Sequence, residues 1–364
     1  MCFSGEGYLS VAYFQKDKRD FKTYVTNISI IPLIVCPVVC ILSLLLHLLF
    51  PNFLGLNINN TILAIFISFF SLYVNLLLDY YRVKESIISY GCFSCSYVFL
   101  NFCLTIILIV FIGTNWYGRI YSMLICASLY TIFTILVFLK NSLLSLKCLS
   151  FKVINEVIKW GVPLIPHASS IWIRQGCDRY IINYYYSTYE VGIFSFALNL
   201  ANIMNMIGLA FNSSNSVDIY KTLSSRNEGG IEKLQSYTKK MLLLFLVISI
   251  VISILLFVVV PILVPQYKSS LIYYLFLIPY GYLQCVYYLY CNYLYYFGYN
   301  RKLMTITFSI SIVHLCLSFV FSRYSLVLTA LVYVVTQTLI VLFLKHKVTS
   351  ILKNNYDYKH NWIL

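Results

Sequence analysis

The sequence predicts an all-α polytopic membrane protein with about ten transmembrane helices. Three observations carry this. Of 364 residues, 60% are apolar and 10% charged, against about 45–50% and about 25% in a water-soluble domain. So few charges cannot cover a soluble globule. Ten stretches supply the roughly 20 apolar residues that a helix needs to cross the ~30 Å hydrocarbon layer. Basic residues then alternate between connectors as the positive-inside rule requires. The same composition excludes disorder and fibrous repeats.

In chain order the stretches lie near 27–50, 61–80, 87–112, 118–139, 160–186, 190–212, 241–264, 270–297, 303–322 and 325–344. None carries the regular polar stripe of a water-facing helix. All are too long and continuous to be the ~10-residue alternating strands of a membrane barrel. Short polar segments separate them, the longest at 213–240.

Orientation follows from the connectors. One alternate set carries Lys16, Lys18, Arg19 and Lys22, then Arg82 and Lys84, then Lys140, Lys147, Lys152 and Lys159. It continues with Lys221, Arg226, Lys233, Lys239 and Lys240, then Arg301 and Lys302, and the tail Lys345, Lys347, Lys353 and Lys359. That set holds 21 of the 26 basic residues, and the opposite set only Arg119, Lys268 and Arg323. A single miscounted span would scramble this alternation. It therefore supports the span count as well as cytoplasmic N- and C-termini. Dispersed cationic loops facing anionic headgroups account for the net charge of +14, so no nucleic-acid partner is implied.

Nine of the twelve cysteines lie inside apolar runs, where Cys behaves as a small hydrophobe. Cys92 and Cys95 form a CxxC, but no second pair or His ligands accompany it, and no metal site is expected. Met1 to Lys22 lacks the layout of a cleavable signal peptide.

An ionisable group inside a span costs ~2.5–3.5 kcal/mol on insertion scales, so it lines a cavity or meets a partner. The fifth span concentrates them. His167, Ser170, Arg174 and Asp178 recur at three- and four-residue spacing on one helical face, with Arg179 beside them. Counted from Trp160 at ~1.5 Å per residue, Arg174 lies ~20 Å in, past the midplane. Pro163 and Pro166 are expected to kink or loosen the cytoplasmic half.

Two readings stand for Arg174 and Asp178. One is a structural i,i+4 ion pair that pins the helix to a neighbour. The other is a cationic site in a water-filled cavity, where guanidinium forks meet phosphate oxygens and Asp178 orients them. The sixth span adds Asn199, Asn202 and Asn205, with Asn212 beyond. That ladder is either interhelical glue or a cavity wall for sugar hydroxyls. Most of the 34 tyrosines read as interfacial anchors or packing. Tyr280, Tyr287 and Tyr288, near Gln284, are placed to stack on sugar rings. Asp79 beside Arg82 reads as interfacial rather than as a proton carrier.

No catalytic motif is present: no Gly-rich phosphate loop, no HExxH, no GxSxG, and no pair of carboxylates at membrane depth. The chain does not read as an enzyme and calls for no cofactor. Work on a substrate would be driven by an ion gradient, with H+ and Na+ both open, by the membrane potential or by substrate and product concentrations.

The segments WGVPLIPHASSIWI and CDRYIINYYYSTYEVGIFSFALNLANIM resemble the start of the second half of Wzx-type O-antigen translocases, the polysaccharide repeat-unit flippases. These belong to the multidrug/oligosaccharidyl-lipid/polysaccharide exporter superfamily. The matching residues are Asp178, Arg179, Glu190, Val191, Gly192, Phe194 and Ser195. The opening GEGYLSVAYFQKDKRDFKTYV is similar to that family's first cytoplasmic loop after its second span. The resemblance implies two bundles, four spans plus six, around a central cavity. Their parts are a cytoplasmic segment 1–26, a partial first bundle 27–139, a linker 140–159, a second bundle 160–345 and a tail 346–364. The family generally has twelve spans, so the resemblance implies two further N-terminal ones. An internal or misassigned start and a natural truncation both fit that departure.

The resemblance further implies a flippase moving undecaprenyl-pyrophosphate-linked oligosaccharide, an O-antigen or capsule unit, to the periplasmic leaflet of a bacterial inner membrane. Arg174 and Arg179 would then meet the pyrophosphate, with Asp178 tuning them. His167 and Asn199, Asn202 and Asn205 would lie nearer the glycan. Membrane lipids, and the polymerase and chain-length proteins of the same pathway, would be partners. The alternatives are a multidrug exporter of the same superfamily, a peptidoglycan-precursor flippase, and a membrane glycosyltransferase or glycan polymerase. The exporter reading expects an unpaired intramembrane carboxylate, and the enzyme reading a large soluble loop.

Overall fold

Inside a membrane an apolar run must satisfy its own backbone amides, and each predicted span is helical over most of its described length. The structure, a computed structural model, describes residues 6–16, 20–49, 57–225 and 230–356. Lys18, Arg19, Arg226 and Lys359 of the basic pattern lie outside the described residues. Twelve α-helices and no strand occur among the described residues. They are α1 Glu6–Gln15, α2 Phe21–Leu49, α3 Ile58–Val83, α4 Ile87–Ile106, α5 Tyr117–Lys140 and α6 Phe151–Gly161, followed by α7 Leu164–Tyr185, α8 Thr188–Ser225, α9 Gly230–Leu263, α10 Ser270–Tyr296, α11 Asn300–Ser322 and α12 Leu326–Tyr356.

Eight of the described helices are long and apolar enough to cross a membrane by length and composition. The other two predicted spans are α7, of 22 residues, and α10, of 27. Both have the length, and both carry the polar residues that set them apart.

Helix ends overrun the predicted spans. α2 begins at Phe21, α8 runs on to Ser225 and α9 starts at Gly230. Hydropathy marks only the stretch that suits hydrocarbon, whereas helical hydrogen bonds continue into polar sequence. The chain before the first predicted span also folds, as α1, burying Tyr8, Leu9, Val11 and Ala12.

One boundary is corrected. The fifth span was expected to start at Trp160 and to carry its prolines internally. Instead α6 ends at Gly161 and α7 begins at Leu164. Pro163 falls in the break, and Pro166 sits in the first turn, where backbone N–H groups have no intrahelical partner to lose. Trp160 packs on Tyr8 at 5.3 Å between ring centroids. Counted from Leu164, Arg174 lies ~15 Å along its helix, close to the middle of the ~30 Å layer.

The chain divides into two compact units, Met1–Ile165 and Pro166–Leu364. In the first, α3 packs against α5, α2, α1 and α4. An open groove of about 610 Å³ there is lined by Tyr81, Ser89, Cys92, Phe93, Ser96, Leu129, Tyr130 and Phe133, with no charged group. In the second unit α10 packs extensively on α8 and α12. Phe194, Ala197 and Ala201 meet Leu277, Tyr280, Ala330 and Tyr333 in its core. Small residues permit this: a Cβ built on Gly281 would stand 2.9 Å from the Ala201 carbonyl oxygen.

Polarity runs inside out relative to a soluble protein. Leu33, Ile34, Ile41 and Leu42 of α2 and Ile254, Leu255 and Val258 of α9 are exposed. Arg174, Asp178, His167, His314 and Gln337 are buried. All described cysteines are free, Cys92 and Cys95 included.

Candidate functional site

The site is built on α7. Residues at three- and four-residue spacing share a helical face, and this face turns into unit 2. His167 is 8% exposed, Ser170 0%, Arg174 6% and Asp178 1%. Hydrogen bonds to α10, α11 and α12 hold it there.

From the cytoplasmic end of the predicted topology, His167 comes first. Its Nδ1 lies 2.8 Å from Thr307 Oγ1 and its Nε2 3.0 Å from the Tyr287 hydroxyl. Ser311 donates to the Ser170 carbonyl at 3.2 Å. Arg174 Nη1 donates to Gln337 Oε1 at 2.6 Å, and the Tyr333 hydroxyl donates to the Arg174 carbonyl at 2.6 Å. Asp178 accepts from Ser318 Oγ at 2.7 Å and faces His314 Nε2 at 3.1 Å.

Arg174 and Asp178 therefore do not form the i,i+4 ion pair that their spacing allows. Among the described residues no carboxylate pairs with Arg174. Its Nε and the Nε2 of Gln337 are buried donors without acceptors in the structure. A buried cation without counter-charge costs several kcal/mol, so this guanidinium keeps unspent capacity for an anion.

The other expected site residues are distributed differently. Arg179 and Asn199 are exposed, apart from the buried set. Asn202 and Asn205 are half-buried and bonded across helices: Gln175 Nε2 reaches Asn202 Oδ1 at 3.4 Å, and the Tyr288 hydroxyl donates to Asn205 Oδ1 at 2.7 Å. Asn292 donates to Asn212 at 2.7 Å. Tyr280, expected to stack on sugar, is 1% exposed, and its hydroxyl accepts from Gln175 and Gln284 at 3.0 and 2.8 Å. Tyr287 is engaged by His167.

The sequence reading missed His314, Ser318, Thr336, Gln337 and Tyr333. A signal was present. Thr307, Ser311, His314, Ser318 and Ser322 recur at four-, three-, four- and four-residue intervals, a polar face on an otherwise apolar helix.

No family model matches the chain. The Lsg locus putative protein 1 of Haemophilus influenzae is 24% identical over 149 residues, 40% of this chain and 36% of that relative. The match thus spans little more than a third of the relative's length. Among solved structures, a MATE transporter in its bent conformation superposes with TM-score 0.76 at 17% identity, covering 98% of this chain and 85% of that one. A mutant form of VcmN, a MATE transporter of Vibrio cholerae, gives 0.75 at 14% identity, with 98% and 85% covered. The outward-facing conformation of a multidrug resistance MATE family transporter of the MOP superfamily gives 0.73 at 16% identity, with 97% and 84% covered. The chain is an all-α polytopic membrane protein with the fold of the MATE transporters.

Proposed function

We propose that this chain is a membrane transporter working by alternating access, whose cargo is an anionic lipid-linked oligosaccharide of the undecaprenyl-pyrophosphate type. In this reading it sits in a bacterial inner membrane with both termini cytoplasmic and passes the headgroup to the periplasmic leaflet. Sugars and a diphosphate cannot cross hydrocarbon unaided. The observation that carries the reading is Arg174: a guanidinium near the middle of α7, held by an amide rather than a carboxylate, with buried donors left over. Such a group attracts phosphate oxygens and repels cations. Arg179, exposed, supplies a second guanidinium where the headgroup enters or leaves. The polymerase and chain-length proteins of such a pathway would be partners.

A second reading is export of drugs, and the fold comparisons support it better, since a solved relative is named as a multidrug resistance transporter. Against it, the deep carboxylate that a cationic drug requires, Asp178, is already engaged by His314 and Ser318.

One experiment separates the two. In a strain lacking the protein, wild type is expected to restore surface glycan, and Arg174→Ala to lower it at least tenfold with unchanged amounts in the membrane. Full glycan with Arg174→Ala removes the proposed role of Arg174. Unchanged glycan in the deletion, with increased sensitivity to cationic dyes, establishes the exporter reading instead.

A further inference from the structure

We infer that Asp178 and His314 form one proton-binding site, sealed between α7, α11 and α12 and switched by the hydroxyl of Thr336. Both residues, with Ser318 and Thr336, are essentially fully buried, at 1% exposure or less.

The hydrogen count leads there. Thr336 Oγ1 donates to the Val332 carbonyl at 2.7 Å, so it presents lone pairs to His314 Nδ1, 3.0 Å away. In that orientation of the hydroxyl, Nδ1 carries a hydrogen. On the other edge of the ring, Nε2 faces Asp178 Oδ2 at 3.1 Å, and the remaining oxygen Oδ1 is taken by Ser318. The Nε2–Oδ2 contact is attractive only with a second proton between the two atoms, on imidazole or on carboxyl. With the Thr336 hydroxyl turned to Val332, the pair is loaded.

Unloading needs little movement. When one proton leaves to solvent, the remaining ring hydrogen takes the Nε2 position and donates to the Asp178 carboxylate. The Thr336 hydroxyl turns to donate to Nδ1. The Val332 carbonyl loses that bond and keeps the backbone N–H of its own helix. Both states satisfy every polar atom of the pair, so the site holds or releases a proton without leaving a buried group unpaired.

The surrounding groups fit this role. Facing the pair are Arg174 and Cys177 from α7 and Tyr333 from α12, whose ring stands edge-on to the imidazole at 4.7 Å between centroids. Release leaves a carboxylate one turn from the Arg174 guanidinium, while loading leaves that cation uncompensated. Ser322, one turn beyond Ser318, bonds Thr329 at 2.8 Å and leads to the exposed end of α11 at Arg323. Among the described residues no group of three or more His, Cys, Asp or Glu is placed to hold a metal ion. Use of the proton site to drive cargo rests on the transporter reading; its existence does not.

The test uses the whole protein in nanodiscs without cargo. Ring nitrogens are followed by NMR with labelled histidine and carboxyls by difference infrared spectroscopy across pH, with His314→Gln for assignment. The expected result is that the His314 nitrogens and one Asp carboxyl change together, as a single proton. Asp178→Asn should abolish that joint change, and Ser318→Ala, which keeps both titrating groups, should move its midpoint. A His314 that keeps one neutral tautomer throughout, with no carboxyl band responding, overturns the site. The wild-type result decides even where a variant fails to fold. A positive titration alongside a failed glycan assay would discard the cargo reading and leave the proton site standing.

Discussion

Arg174 and Asp178 stand one turn apart on α7 and bond different helices instead of each other. Arg174 bonds Gln337 on α12, 163 residues away, and Asp178 meets His314 on α11, 136 residues away. Opposite charges at this spacing pair within a solvated helix for only a few tenths of a kcal/mol. In the interior each gains more from a partner on another helix, because every unmet donor or acceptor there is costly. The charges of α7 thereby become ties to two neighbours.

Gln337 is the first place to test this. Gln337→Leu removes the acceptor of a buried charged hydrogen bond, and is expected to cost ~1.5–3 kcal/mol. The unfolding midpoint in detergent should fall by roughly 2–4 °C. Gln337→Glu supplies a counter-charge, so folding should survive while glycan export fails, because the guanidinium is no longer free. Wild-type stability in Gln337→Leu would show that the bond contributes nothing.

The close approach of α8 and α10 at Gly281 makes a steric prediction. Gly281→Val places carbon against the Ala201 carbonyl oxygen, where even a Cβ stands at 2.9 Å. Overpacking of this kind costs ~1–3 kcal/mol. The yield of folded protein by size-exclusion chromatography should drop severalfold, and undiminished yield would mean that the helices separate freely.

The Asn ladder separates into glue and surface. Tyr288→Phe removes the bond to Asn205 and should cost ~0.6 kcal/mol, the mean for such bonds in a bilayer. Asn199→Leu, on an exposed position, should leave the midpoint unchanged. A loss of glycan export in Asn199→Leu without loss of stability would mark that side chain as part of the cargo path.

At the N-terminal end, α1 is held by a cluster outside the spans. Lys16 Nζ lies 2.8 Å from Glu156 Oε1, and the Tyr8 hydroxyl donates to the same carboxylate at 2.6 Å. Burial alone would raise the Glu156 pKa, but the bonds from Lys16 and Tyr8 outweigh it and hold the carboxyl below its usual range. The bond to Glu156, against a smaller opposing effect of burial, raises Lys16. The Glu156 contribution is present above the ordinary carboxylate range and is lost as pH falls through the lowered value. The Lys16 contribution is complete below the ordinary lysine range and is lost as pH rises through the raised one. Because the ion pair is about one-third exposed, each limb is worth at most ~1 kcal/mol. Hydrogen exchange over residues 6–15 should be slowest between the limbs and about fivefold faster below the acid one. Glu156→Gln should flatten the acid limb; an unaltered pH profile in that variant refutes the latch.

Much of this fold was legible in one dimension. Ten helices lie where apolar runs predict them, because insertion into hydrocarbon depends on a local sum over about 20 residues. The polar face of α7 was equally legible, since three- and four-residue spacing is a local property. The start of that helix was not. Gly161, Val162 and Pro163 read as part of an apolar run, yet the break falls there because Trp160 and Val157 are packed in the other unit. Tyr280 and Tyr287 also resisted reading, because a tyrosine at a lipid surface and one sealed in a hydrogen-bond network have the same composition.

What the amino-acid sequence determined alone is that this chain lives in a membrane, crosses it as long helices and carries ionisable groups on one face of α7. Which groups those charges meet was decided by tertiary structure. Gly208, Gly281, Ala201 and Ala330 let α8, α10 and α12 approach closely. A partner 136 or 163 residues away is chosen by helix rotation and packing, which leave no trace in spacing along the chain.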